Sequence, residues 1–132
     1  MPVEVNESAW PIVSLRIQGA LSREEEAHFI ETSVSFPLRR ERYVAIIHLL
    51  EAATPSARFV RGQACAQRDK RAELEEFCAG VVFVIGSAML RGALRAILHL
   101  QGLPSPHVVV DTEEAAQTWA RAQMQADGVS NR

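Results

Sequence analysis

The chain has 132 residues, 48% hydrophobic and 23% charged, with a formal net charge of -2 and two cysteines. That length suffices for a single domain with a real core and no disulfide or metal staple. The balanced charge offers no attraction for nucleic acid, and no apolar run reaches the roughly 18 residues that cross a bilayer, so neither nucleic-acid binding nor membrane insertion is expected.

Taken in order, residues 3 to 7, VEVNE, alternate apolar and polar. Residues 10 to 18, WPIVSLRIQ, place Val13, Leu15 and Ile17 on one face at period two, so two strands are predicted near the start. Pro11 lacks an amide donor and belongs at the beginning or edge of its strand. The opening residues carry neither a basic segment nor an apolar secretory core, so a cytoplasmic location is expected.

Ser22 followed three residues later by Glu25 is a capping box, and a helix is predicted from Ser22. Ala27, Phe29, Ile30 and Val34 form its inner face, and Pro37 ends it near Ser35 or Phe36. Residues 37 to 43, PLRRERY, then read as a solvated charged loop.

Three apolar runs rich in β-branched residues follow: YVAIIHLL (43 to 50), VVFVI (81 to 85) and HVVVDT (107 to 112). Each has the pattern of a strand covered on both faces. A helix from about 58 to 79 is predicted between the first two, with Leu74, Phe77 and Cys78 in the core and Gly80 as a left-handed stop. The next helix presents Leu90, Ala93, Leu94, Ile97 and Leu100, and Gly102 closes it. The last begins at Thr112-Glu113-Glu114 and buries Ala116, Trp119 and Ala120.

The order is β-β-α-β-α-β-α-β-α. Helical crossovers between strands require the later strands to be parallel, so an α/β fold with a single-layer, mostly parallel sheet and right-handed crossovers is predicted. One domain spans 1 to 132, with its core at about 3 to 125 and a polar tail at 126 to 132. Thirteen arginines stand against one lysine, Lys70, a bias that suits a GC-rich bacterial genome. Cys65 and Cys78 fall in one predicted helix, roughly 20 Å apart at about 1.5 Å per residue, and are expected as buried free thiols.

Gly86-Ser87 joins an apolar strand to a helix start. Free amides and the helix dipole there can hold an anion, with Arg91 one turn on, or Ser87 can act as a plain cap. No phosphate-loop, dinucleotide or nucleophile-elbow motif is present. Arg91, Arg95 and His99 form a basic stripe, readable as a solvated face or as a receptor for an acidic group. His48, near the end of a buried strand, is a structural histidine or, given a partner, a general base. Thr54 and Ser56, around Pro55 and near Arg58 and Arg61, are candidate phosphoacceptors or ordinary turn and cap residues. The four histidines lie on separate elements and the cysteines lack C-x-x-C spacing, so no metal or other cofactor is expected.

Two leading strands, a capped helix, and strand-helix units built on YVAIIHLL, VVFVIGSAMLRGAL and HVVVDTEEAAQTWA resemble the STAS domain of bacterial anti-sigma-factor antagonists, over about residues 3 to 125. The resemblance implies a βα superhelical fold, no catalytic centre, and an interaction module in partner-switching signalling controlled by serine or threonine phosphorylation. The family's phosphoacceptor lies in a D-S-S-G-like motif after the strand matching YVAIIHLL. Here LLEAATPSARF has no such motif, although Thr54 and Ser56 occupy that loop.

The expected function is therefore a non-enzymatic module that binds a protein partner or a second copy of itself as a homodimer. The alternative is a binding domain for a small anion, a nucleotide or lipid phosphate, at Gly86, Ser87 and Arg91.

Overall fold

The computed structural model describes residues 3 to 50, 56 to 103 and 105 to 130. It holds five strands, β1 (Val3–Asn6), β2 (Ile12–Gln18), β3 (Tyr43–Leu50), β4 (Cys78–Val84) and β5 (His107–Val110). These make one sheet in the order β1-β2-β3-β4-β5, with β1 antiparallel to β2 and all later pairs parallel. The α/β class and the mostly parallel sheet expected from the apolar runs are both present.

Five α-helices, α1 (Arg23–Ser33), α2 (Ala57–Asp69), α3 (Arg71–Phe77), α4 (Ala88–Gln101) and α5 (Glu113–Ser130), surround the sheet, with a 3-10 turn at Phe36–Arg39. Alternation along the strands divides the core in two. Val13, Leu15, Ile17, Tyr43 and Ala45 face α1, α2 and α3, and Ile85 and Val109 face α4 beside them. Val44, Ile46, Val82 and Val84 face α5 on the opposite side. Among the described residues no helix is long and apolar enough to cross a membrane.

The capping box is formed as the sequence suggested: the Glu25 amide donates to Ser22 Oγ at 3.1 Å and the Ser22 amide to Glu25 Oε1 at 2.8 Å. Phe29 is buried and Ile30 half-buried on the inner face of α1 as expected, but Glu26 joins them there and Ala27 is exposed.

The helix expected at about 58 to 79 is two helices and the start of a strand. It breaks at Lys70 (φ -109°, ψ 19°), and Cys78 already pairs with Tyr43 in the sheet. The two cysteines thus lie on different elements, and Cys65 is exposed rather than buried. Gly80 is no helix stop. It sits inside β4, next to the register shift opposite Tyr43 and Val44, where an added Cβ would lie 2.6 Å from the Trp119 ring. Glycine is needed there to let the indole of α5 lie on the strand.

Leu100, placed in the core by periodicity, points away from it and is 86% exposed. The predicted polar tail is also partly regular, since α5 continues through Gly128 to Ser130. Glycine lowers helix propensity by only about 1 kcal/mol and does not by itself end a helix. Residues 131 and 132 lie outside the described residues.

The arginines of residues 37 to 43 lie at the surface as expected, but each makes a specific contact. The Arg39 guanidinium pairs with Glu7 and lies 4.0 Å from the Trp10 ring centre. Arg40 takes the left-handed conformation (φ 57°) over Phe77, and Arg42 donates to the Glu76 carbonyl at the end of α3. These contacts fasten the N-terminal edge of the sheet to α3.

Candidate functional site

Between the sheet and the helices on the β2-β3-β4 side lies a chamber of about 300 Å³. Its floor is the inward face of the strands, including Leu15, Ile17, Ala45, Ile47, Val81 and Phe83. α1 contributes Phe29, α2 contributes Phe59 and Val60, and α4 contributes Leu90, Leu94 and Ile97.

The sequence builds these walls with amphipathic helices that close-pack only in part. α2 has Ser56 as its cap, with the Phe59 amide donating to Ser56 Oγ at 3.0 Å, yet none of its thirteen residues is buried. α4 has Ser87 as its cap and, among its described side chains, buries only Leu98, against Ile85 and Val109. Both helices turn apolar side chains toward the sheet, and Phe59, Leu90 and Leu94 pack against the core while staying only partly buried. Against α1, α2 approaches closely: a Cβ on Gly62 would meet the tip of Ile30 at 2.7 Å.

Polar groups reach the chamber at a few points. Glu26, only 6% exposed, accepts from Ser56 Oγ at 2.8 Å and from Arg58 Nε and Nη2 at 3.0 and 2.6 Å. Burial pushes its carboxyl up, but the hydrogen bonds from Arg58 and Ser56 and the charges of Arg58 and Arg23 outweigh it, leaving Glu26 below the ordinary carboxylate range and ionised. Ser33 Oγ donates to the Ile30 carbonyl at 2.8 Å and lies 3.4 Å from Gln63 Oε1. At the far end, burial raises both the Tyr43 phenol and the Cys78 thiol above their usual values, so both stay protonated.

Of the residues singled out in the sequence, Ser56 lies at the chamber's rim. Its hydroxyl is committed twice, to the α2 cap and to Glu26. Thr54 lies outside the described residues. Gly86, Ser87 and Arg91 stand together at the end of β4. Ser87 Oγ accepts from the Leu90 amide at 3.3 Å, and Arg91 Nη1 donates to the carbonyls of Ile85 and Gly86 at 2.9 and 3.0 Å. Arg95 likewise donates to the Val109 carbonyl at 3.2 Å. The basic stripe of α4 therefore caps strand-end carbonyls, and His99 is exposed beyond it.

His48 is on the other face of the sheet. It is buried, with Nε2 2.9 Å from Glu113 Oε2 at the start of α5. Desolvation lowers its pKa, the Glu113 carboxylate opposes that, and Arg16 on the neighbouring strand adds to the lowering, for a net decrease. The dyad borders a polar groove with Ser14, Arg16 and Glu4. Among the described residues no three His, Cys, Asp or Glu side chains cluster as metal ligands.

Sequence reasoning overlooked Glu26, which reads as one of three first-turn acids. The signal was available: Glu26 and Phe29 share a face of α1, and Ser56-Ala57-Arg58 supplies two donors. No family model, curated protein or solved structure matched this chain in comparison.

Proposed function

We propose that this chain is a non-enzymatic, STAS-like binding module that takes an apolar small molecule between its sheet and helices α2 and α4. One observation carries the reading: an apolar chamber of about 300 Å³, faced by a helix that buries none of its own residues. The space is partly open to solvent, and covering its apolar walls with a ligand removes apolar surface from water, which favours binding.

Water is a poor filler, because each molecule needs two to four polar partners and these walls offer few. An apolar cavity of about 150 Å³ binds benzene, so this one suits a body about twice that size. Binding rather than catalysis is supported by the protonated state of Tyr43 and Cys78 inside the chamber and by the position of His48 on the opposite face.

The protein-interaction reading is favoured by a separate observation. Met89 and Leu100, 83% and 86% exposed, stand eleven residues apart on one side of α4, whose other side lines the chamber. In the joint reading, ligand occupancy sets the posture of α4 and so the surface offered to a protein partner or a second copy. An anion at Gly86, Ser87 and Arg91 would have to displace the bonds that Ser87 and Arg91 already make within the chain.

Thermal unfolding with a series of alkylbenzenes, which carry no headgroup, tests the central reading. Ligand at ten to a hundred times its Kd stabilises by about 1.4–2.7 kcal/mol, a rise of several degrees in Tm. A Tm unmoved across propylbenzene to pentylbenzene would contradict it.

A further inference from the structure

The chamber's polar fittings are informative about what it admits. α2 sets Ser56, Gln63 and Gln67 along the chamber at helical spacing, with Phe59 and Val60 between them. Among the described residues no arginine, lysine or histidine lines it. Among the described residues the one ionised group on its wall is Glu26, and both of its oxygens are engaged: Oε1 by the Arg58 guanidinium, Oε2 by Ser56.

These facts discriminate between headgroups. A carboxylate or phosphate drawn inside would lose part of its water, find no cation among the described wall residues and face Glu26. A ligand ammonium fares little better, since the only carboxylate among the described wall residues is already engaged by Arg58 and Ser56. A hydroxyl or carbonyl meets no such penalty. The amides of Gln63 and Gln67 each provide two N–H donors and a carbonyl acceptor, and the single 3.4 Å contact of Gln63 with Ser33 Oγ leaves capacity for a ligand oxygen.

We infer that the ligand is an uncharged amphiphile, a hydrocarbon body ending in one hydroxyl or carbonyl that meets Gln63 or Gln67, and that the chamber rejects the matching fatty acid anion. Its bulk follows from the volume: at about 30 Å³ per group, the share a water molecule takes in the liquid, the chamber holds about ten methylene-sized units. This rests on the apolar-ligand reading above, and the test separates the two.

The experiment compares 1-octanol with octanoate at pH 7.5 by calorimetric titration and thermal unfolding of the full chain, with butylbenzene as the headgroup-free reference. Octanol is expected to bind at least tenfold more tightly than octanoate. Gln63→Lys or Gln67→Lys installs a cation at the wall and is expected to raise octanoate affinity at least tenfold. The wild-type comparison stands even if a lysine variant does not fold.

Butylbenzene binding together with octanoate at or above octanol affinity would overturn the inference and leave the apolar chamber intact. Octanoate affinity unchanged in both folded lysine variants would overturn the placement of the headgroup. Failure of all three probes would overturn the chamber reading itself.

Discussion

Ser56 Oγ stands 2.8 Å from Glu26 Oε2 while accepting the Phe59 amide, so one hydroxyl both starts α2 and ties it to α1 at the rim of the chamber. Ser56→Ala removes a helix cap worth about 1 kcal/mol and leaves a carboxylate oxygen without its donor. Ser56→Asp keeps a capping oxygen but sets it against the Glu26 carboxylate. It is expected to destabilise more than Ser56→Ala in urea unfolding, and to lose most of that excess in a Glu26→Gln background. Equal effects in both backgrounds would show that the two side chains do not interact.

Glu26 also sets an acid limit. Its folded pKa lies below the ordinary value of 4.5, so its contribution to stability is present above about pH 4.5 and is lost as pH falls through the folded value. Glu26→Gln is expected to cost about 1–2 kcal/mol at pH 7. That is less than a fully buried pair would lose, because Arg58 keeps about half of its side chain in water. The difference from wild type should shrink on acidification, read from urea midpoints between pH 3 and 7.

His48 acts in a higher window. Its folded pKa is lowered by burial, so its contribution is complete above about pH 6.5 and is lost as pH falls toward the folded value. Wild-type Tm is expected to decline below pH 6.5, and His48→Gln to flatten that decline. Glu113→Gln removes the one neighbour that raises the imidazole pKa and should move its NMR titration midpoint lower still.

Gly80→Ala drives a methyl into the Trp119 ring, for which overpacking of about 1–3 kcal/mol is the expected cost. Trp119→Phe should relieve part of it in the double variant. Additive losses in chemical denaturation would mean the ring and the strand are not in contact.

The two thiols should separate cleanly in a native labelling experiment. Exposed Cys65 is expected to react at once with a charged disulfide reagent, and Cys78, buried and held protonated, only on unfolding. Two fast equivalents under native conditions would contradict the burial of Cys78.

The strands were legible because β-branched apolar runs such as YVAIIHLL and HVVVDT leave few alternatives to a covered parallel sheet. The α3–β4 boundary was not. Leu74, Phe77 and Cys78 keep helical spacing across it, and only the pairing of Cys78 with Tyr43, thirty-five positions earlier, makes it a strand. Ser87 and Gly102 could be read as helix ends because capping is local chemistry. The chamber left no comparable trace: Phe59, Leu90 and Leu94 have the same composition whether they touch the sheet or stand off it. Arg91 and Arg95 looked solvated because the carbonyls they cap belong to other elements.

The sign of one stability change bears most directly on the open chamber. Ile47 belongs to its floor on β3 and is only partly buried. Ile47→Phe adds three carbons toward the chamber, so with open space there stability in urea unfolding should hold or rise while the butylbenzene-induced Tm increase disappears. If Ile47→Phe instead loses about 1–3 kcal/mol, as overpacking of a closed core demands, the space does not exist in solution and the ligand-binding function falls with it.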